Sequence, residues 1–154
     1  MSTFRFTRPV RRNRHGTLSV NLPPGERQVL RRLPEEIKAM LSRPEDPALR
    51  RLFPPAYTDD EEASAEYSRL MQADLLEHHT AALDTLATTA DHTELSEEEA
   101  TAWMQALNQI RLVLGTRLDV TEDDDPRDIR SPEHRLYLYL GYLQEHVVEA
   151  LAGG

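Results

Sequence analysis

The stretch that decides the fold is residues 100–118, which read ATAWMQALNQIRLVLGTRL. Its apolar residues recur at alternating intervals of three and four, which is the period of one helical face. This regular seam predicts a helix that packs at the centre of a helical core. The seam consists of Ala100, Trp103, Leu107, Ile110 and Leu114.

Two further helices are predicted to pack beside it. Thr58 and Glu61 form a capping box that begins one helix, which runs to about residue 88. Ser131-Pro132 begins the last helix, and a second capping box, Ser96 with Glu99, begins the central one. The inner face of the helix at 58–88 is predicted to carry Tyr67, Met71, Leu75, Ala82 and Leu86. The stripe of the last helix is Leu136, Leu140, Leu143, Val147 and Leu151.

The first third of the chain predicts different elements. Residues 3–22 alternate apolar and polar side chains around the turn-forming stretch Asn13 to Gly16, which indicates a β-hairpin. Residues 24–41 have helical periodicity, and Pro34 predicts a kink or a division into two short helices. We therefore expect one mostly α domain over residues 1–154. It comprises a basic β-hairpin (1–22), a kinked helix with a proline-rich connection (23–57) and a helical core (58–152), and the hairpin packs on a bundle of four or five helices.

The charge of the chain is divided between its two ends. Twelve Arg and Lys against five Asp and Glu give the first 51 residues a net charge of +7, whereas the remaining 103 residues carry −16. This division favours charge-guided contact with another macromolecule over chemistry on a small substrate. No apolar run is long enough to span a membrane, so we expect a cytoplasmic protein without a membrane partner.

Several kinds of chemistry find no support in the sequence. There is no cysteine, which excludes disulfides, thiolate nucleophiles and cysteine-ligated metals in this chain. No glycine-rich phosphate loop or nucleophile-elbow motif occurs. Asp74 and His78 are one helical turn apart, but a lone pair of this kind is more typical of a surface contact than of a metal site. We predict no catalytic residues, no metal and no cofactor.

Five arginines of the hairpin form the candidate partner-binding set. They could hold phosphates, with Phe4 and Phe6 stacking on bases, or they could pair with the acidic helices of the same chain. Because the whole chain is negative, internal pairing is favoured over nucleic acid. We expect Phe4 and Phe6 to pack on the bundle and to leave an arginine rim exposed. The set is Arg5, Arg8, Arg11, Arg12 and Arg14.

Polar residues interrupt the most apolar helix. Asn108 and Arg111 predict either a buried polar network or a pocket for a small ligand, and the network is favoured because bundles use such groups to fix register. We expect Arg111 to pair with a carboxylate from the helix at 58–88. The predicted structural core is Trp103, Leu107, Asn108, Ile110, Arg111, Leu114 and Gly115.

Three segments together resemble a known family. They are residues 52–57 (LFPPAY), residues 103–118 (WMQALNQIRLVLGTRL) and residues 139–144 (YLGYLQ). They resemble the actinobacterial domain-of-unknown-function family DUF2017, also called oxidative stress regulator AosR-like. The resemblance covers nearly the whole chain and implies a cytoplasmic regulator rather than an enzyme. Thiol-based sensing cannot operate in this chain, since it has no cysteine.

The favoured function is therefore a non-enzymatic regulatory protein that binds another protein, in transcription or in a stress response. One alternative is a nucleic-acid-binding module that uses the arginine hairpin. A second alternative is a ligand-binding protein or enzyme with a pocket near Asn108 and Arg111. Neither the identity of the protein partner nor the oligomeric state follows from the sequence.

Overall fold

The computed structural model describes residues 8–43, 45–52, 61–118 and 131–153. Within these ranges the protein is mostly α-helical, and a small antiparallel sheet near the N-terminus packs on the helices. The predicted fold class is confirmed. The elements are β1 (Val10–Arg12), β2 (Leu18–Val20), α1 (Pro24–Leu41), a 3₁₀ helix (Pro47–Leu49), α2 (Glu61–Thr89), β3 (Glu94–Leu95), α3 (Glu97–Arg117) and α4 (Pro132–Ala152).

The hairpin forms around the predicted turn. β1 and β2 pair antiparallel, with Val10 opposite Val20. The side-chain oxygen of Asn13 accepts hydrogen bonds from the backbone N–H groups of His15 (2.9 Å) and Thr17 (3.2 Å), which folds the loop back on itself. Gly16 has φ +82°, a left-handed conformation that glycine adopts without steric cost. Phe4 and Phe6, which we expected to face the bundle, lie outside the described residues.

A third strand was not expected. β3 pairs antiparallel with β2, so that Leu18 lies opposite Leu95, and Leu95 is fully buried. The strand is only two residues long and ends directly before the N-cap of α3. A segment this short has too few side chains to show an alternating pattern, and for that reason periodicity missed it.

Helix α1 has the predicted bounds but does not divide in two. It runs without interruption through Pro34, whose side chain is buried. A proline inside a helix costs about 3 kcal/mol because it removes one hydrogen bond and crowds the preceding turn. The burial of Leu30, Leu33 and Ile37 on the same helix offsets this cost.

Helix α3 lies between α2 on one side and α4 on the other. Trp103, Leu107 and Ile110 are fully buried. The predicted capping box is present: the Ser96 hydroxyl accepts from the backbone N–H of Glu99 (3.1 Å), and the Glu99 carboxylate accepts from the backbone N–H of Ser96 (2.8 Å). The seam that the sequence shows is therefore the inner surface of this helix.

Helix α4 begins as predicted. Ser131 is its N-cap, accepting from the backbone N–H of His134 (3.1 Å), and Pro132 is its first residue. The middle of its apolar stripe is buried, at Leu140, Leu143 and Val147, while Leu136 and Leu151 are partly buried against the core. In the described ranges, no helix is long and apolar enough to cross a membrane.

Candidate functional site

The first half of α2 exposes large apolar side chains. Tyr67 is 53% exposed, Leu70 67%, Met71 38% and Leu76 39%. The prediction that Tyr67 and Met71 lie on an inner face is therefore wrong, whereas Ala82 and Leu86 are buried as predicted. We call Tyr67, Leu70 and Met71 the α2 apolar patch.

Helix length explains why this patch is uncovered. α2 has 29 residues and α3 has 21, so α2 is about 12 Å longer at the usual rise of 1.5 Å per residue. All the described buried residues of α2 lie from Ala82 onward. Periodicity identifies which side chains share a face, but it does not show how far along the helix a neighbour extends.

A groove of about 730 Å³ lies between α2 and α3, and the first α2 residue that lines it, Leu75, is one helical turn after Met71. Gln109, in the groove, is 5% exposed, and its side-chain oxygen is buried with no hydrogen-bond donor among the residues that the structure describes. This oxygen is therefore a buried acceptor without a described donor, and it is not open to the groove. Its α2 side includes Leu75, Glu77, His78, His79 and Ala82, and its α3 side includes Ala102, Gln105, Asn108 and Gln109.

Asn108 is exposed in this groove, so its assignment to the core is wrong. The side chain that enters the interior is its neighbour Gln109. A pocket was expected near Asn108 and Arg111, and this groove is lined by Asn108 but not by Arg111. Adjacent polar residues on a helix differ by about 100° in direction, and no pattern in the sequence distinguishes the buried Gln109 from the exposed Asn108.

Two histidines lie on the α2 side of the groove. His79 is half-buried, and its Nε2 lies 3.2 Å from the backbone oxygen of Leu52. Burial lowers the pKa of His79, and the Leu52 carbonyl opposes that shift only in part. Asp74 and His78 are both exposed. No three His, Asp or Glu side chains among the described residues are grouped so that they could hold a metal ion.

The five hairpin arginines do not act as one set. Arg5 lies outside the described residues, and Arg8, Arg11 and Arg14 are exposed. Arg12 instead turns toward the helices, so its assignment to a free partner-binding rim is wrong. The exposed rim in the described part of the chain therefore consists of Arg8, Arg11 and Arg14.

Arg12 joins the hairpin to the ends of two helices. Its Nε and Nη2 donate to the backbone oxygens of Ala150 (3.2 Å) and Leu151 (3.1 Å), and its Nη1 lies 2.8 Å from the Glu97 carboxylate. The last carbonyls of a helix lack partners within the helix and carry the negative end of its dipole, so a guanidinium is well suited to this position. Arg12 stabilises the packing of β1 on α4.

Arg111 packs against α4 and not against α2. Its Nη1 donates to the side-chain oxygen of Gln144 (2.7 Å), and its guanidinium lies 5.2 Å from the ring centroid of Tyr137. Among the side chains that the structure describes, no α2 carboxylate pairs with Arg111, and the partner found is on α4. Gly141 explains the contact, because a Cβ there would lie only 3.3 Å from Arg111 Nε. Gly115 likewise faces Tyr137, so both helices approach closely at this level.

Sequence reasoning missed Arg27. Its guanidinium donates to four backbone oxygens, those of Val20 (3.2 Å), Leu22 (3.0 Å), Ala90 (3.0 Å) and His92 (2.7 Å). It thus joins α1, the end of β2 and the loop after α2. Nothing around position 27 distinguishes it from the neighbouring arginines of α1, so the sequence carried no signal for this role.

The comparisons with known proteins agree with the resemblance found in the sequence. The model of the family "Domain of unknown function (DUF2017)" matches residues 1–151. The chain belongs to this family. No solved structure matches the chain significantly.

Three mycobacterial relatives carry the name AosR. The protein of Mycobacterium leprae is 37% identical over 133 residues, which are 71% of this chain and 60% of that relative. Those of Mycobacterium bovis and Mycobacterium tuberculosis, each named oxidative stress regulator AosR, are 33% identical over 132 residues, which are 72% of this chain and 61% of each relative. The chain thus spans about three-fifths of the length of these relatives.

Proposed function

We propose that this chain is a non-enzymatic regulatory protein of a stress response, which acts in the cytoplasm by binding another protein. The α2 apolar patch carries the proposal. Tyr67 and Leu70 are each more than half exposed, and Met71 lies beside them on the same helix. Contiguous apolar surface of this kind marks interaction sites in soluble proteins. The names of the mycobacterial relatives support regulation in response to oxidative stress.

Complex formation tests this proposal. The full chain, tagged, is used to capture proteins from the cells that make it, with and without oxidant. A captured candidate is then purified and mixed with the chain, and the mass of the complex is measured by size-exclusion chromatography with light scattering. We expect a complex of defined stoichiometry. Failure of every captured candidate to form one would refute the proposal.

A nucleic-acid interface is the second candidate, because Arg8, Arg11 and Arg14 form an exposed basic rim. Binding through them should be weak, non-specific and steeply dependent on salt, since each neutralised phosphate releases counterions. The test is a titration of labelled duplex DNA, comparing wild type with a variant that has both Arg11 and Arg14 changed to Glu. Tight, sequence-selective binding that this variant abolishes would favour this candidate over the first.

A further inference from the structure

The charges beside the α2 apolar patch restrict what can cover it. Glu66, Asp74 and Glu77 are exposed on α2, and Arg69 is the one arginine or lysine among the exposed side chains described from 65 to 78. The α2 apolar patch and the groove beside it therefore combine apolar contact area with a surplus of negative charge. A partner that covers this surface needs an apolar face and positive charges.

Two of the chain's other segments have the wrong charge for this role, and a third, residues 1–7, is basic but is only about two helical turns long, too short to cover both the patch and the groove. Residues 53–60 contain two acidic residues and no basic one, and residues 119–130 contain six acidic residues and two basic ones. A second copy docked face to face would bring the same carboxylates together, and the whole chain carries −9. Like charges brought together across an interface oppose association.

The groove also carries a carboxylate. Glu77 lines it and is exposed. Lysine and arginine side chains have long apolar stems, so they can lie along an apolar groove while their charge stays near that carboxylate.

We propose that the α2 apolar patch and the α2/α3 groove are a docking surface for a basic amphipathic helix of a partner protein. Apolar side chains of that helix contact Tyr67, Leu70 and Met71. Its lysines or arginines face Asp74 and Glu77. This is a helix-in-groove mode of recognition, in which the apolar stripe supplies the contact area and the charges select the partner. The inference rests on the proposed function and names the partner's chemistry.

A pair of designed peptides tests the inference on the full chain. The first is a labelled 18-residue helix with leucines on one face and lysines elsewhere, and the second has glutamate in place of every lysine. Binding is measured by fluorescence anisotropy. We expect the lysine peptide to bind at least about ten-fold more tightly than the glutamate peptide, a difference of about 1.4 kcal/mol in binding free energy. Equal binding of the two peptides would overturn the inference.

Matched variants locate the site. Changing both Leu70 and Met71 to Gln should weaken binding of the lysine peptide about ten-fold or more. Val148→Gln is the control, since Val148 is 42% exposed on α4, away from this surface. It should change the affinity less than about two-fold, because it removes a similar exposed side chain elsewhere. Thermal unfolding followed by circular dichroism verifies that all variants are folded.

The outcomes separate the two proposals. If a purified partner binds but the Leu70 and Met71 variant binds it as well as wild type does, the docking surface is wrong and the protein-binding function stands. If the partner binds through α2 while neither peptide binds the chain, the proposal that the partner presents a basic amphipathic helix is wrong. If sedimentation shows self-association that the Leu70 and Met71 variant abolishes, a second copy covers the patch and the inference fails.

Discussion

The buried hydrogen bond between Trp103 and Thr89 gives a sharp test of the core. Trp103 is fully buried, and its Nε1 donates to the Thr89 hydroxyl oxygen (2.6 Å), which in turn donates to the Thr85 backbone oxygen (2.6 Å). Thr89→Val keeps the shape but leaves the indole N–H buried without an acceptor. An unsatisfied buried donor costs about 1–3 kcal/mol, so we expect Thr89→Val to lower the free energy of unfolding by that amount.

A double-mutant cycle isolates the bond itself. A Trp103→Phe background has no indole N–H that could be left without an acceptor. The loss of the hydrogen bond from Thr89 to Thr85 occurs in both backgrounds, and the smaller ring is present with and without Thr89→Val, so both effects cancel in the cycle. We expect Thr89→Val to cost about 1 kcal/mol less in this background. Urea unfolding of all four proteins, followed by circular dichroism at one wavelength, measures the difference. Equal costs in both backgrounds would refute the hydrogen bond.

Three further predictions concern side chains that join elements or titrate. Arg12→Met should lower the free energy of unfolding by about 1–3 kcal/mol, because the last backbone carbonyls of α4 lose their hydrogen-bond donor. Arg11→Met is the control, since Arg11 is exposed, and it should change the free energy of unfolding far less. Arg27→Met should cost about 2–3 kcal/mol in the same urea assay, since charged hydrogen bonds are the stronger ones. Burial lowers the pKa of His79 in the folded protein, so the unfolded chain takes up the proton first as the pH falls below about 6.5. The free energy of unfolding therefore decreases as the pH falls from about 6.5 to the pKa of His79 in the folded protein. Parallel stability curves for wild type and His79→Gln between pH 7 and pH 5 would contradict this.

The helix starts and the central seam were predictable because their causes are local. The Ser96 box and the Ser131-Pro132 start depend on side chains within three residues of the cap. The Trp103 seam depends on a period that a single helix determines. Each of these features can be identified before any tertiary contact is known.

The candidate functional surface was not predictable from the sequence, because its exposure depends on contacts between residues far apart in the chain. Tyr67 and Met71 continue the spacing of the buried Ala82 and Leu86, and only the shorter extent of the neighbouring helices leaves the first pair exposed. Arg12 is 138 residues from Ala150, whose backbone oxygen it contacts. Nothing in the sequence around Arg12 distinguishes it from Arg11, which is exposed.

The division of charge along the chain now has a partly internal explanation. Among the described residues, three ion pairs join a cation of the first 51 residues to a carboxylate of the rest: Arg12 with Glu97, Arg31 with Asp91, and Lys38 with Asp84. The basic end is therefore partly neutralised within the protein, by pairs that contribute about 0–1 kcal/mol each where they are exposed. The second part of the chain has 22 acidic residues against six basic ones, so three such pairs leave most of its acidic surplus unmatched. Glu66, Asp74 and Glu77 belong to this surplus and lie on the same helix as the α2 apolar patch, which is why we propose a basic protein partner rather than a polyanion for this surface.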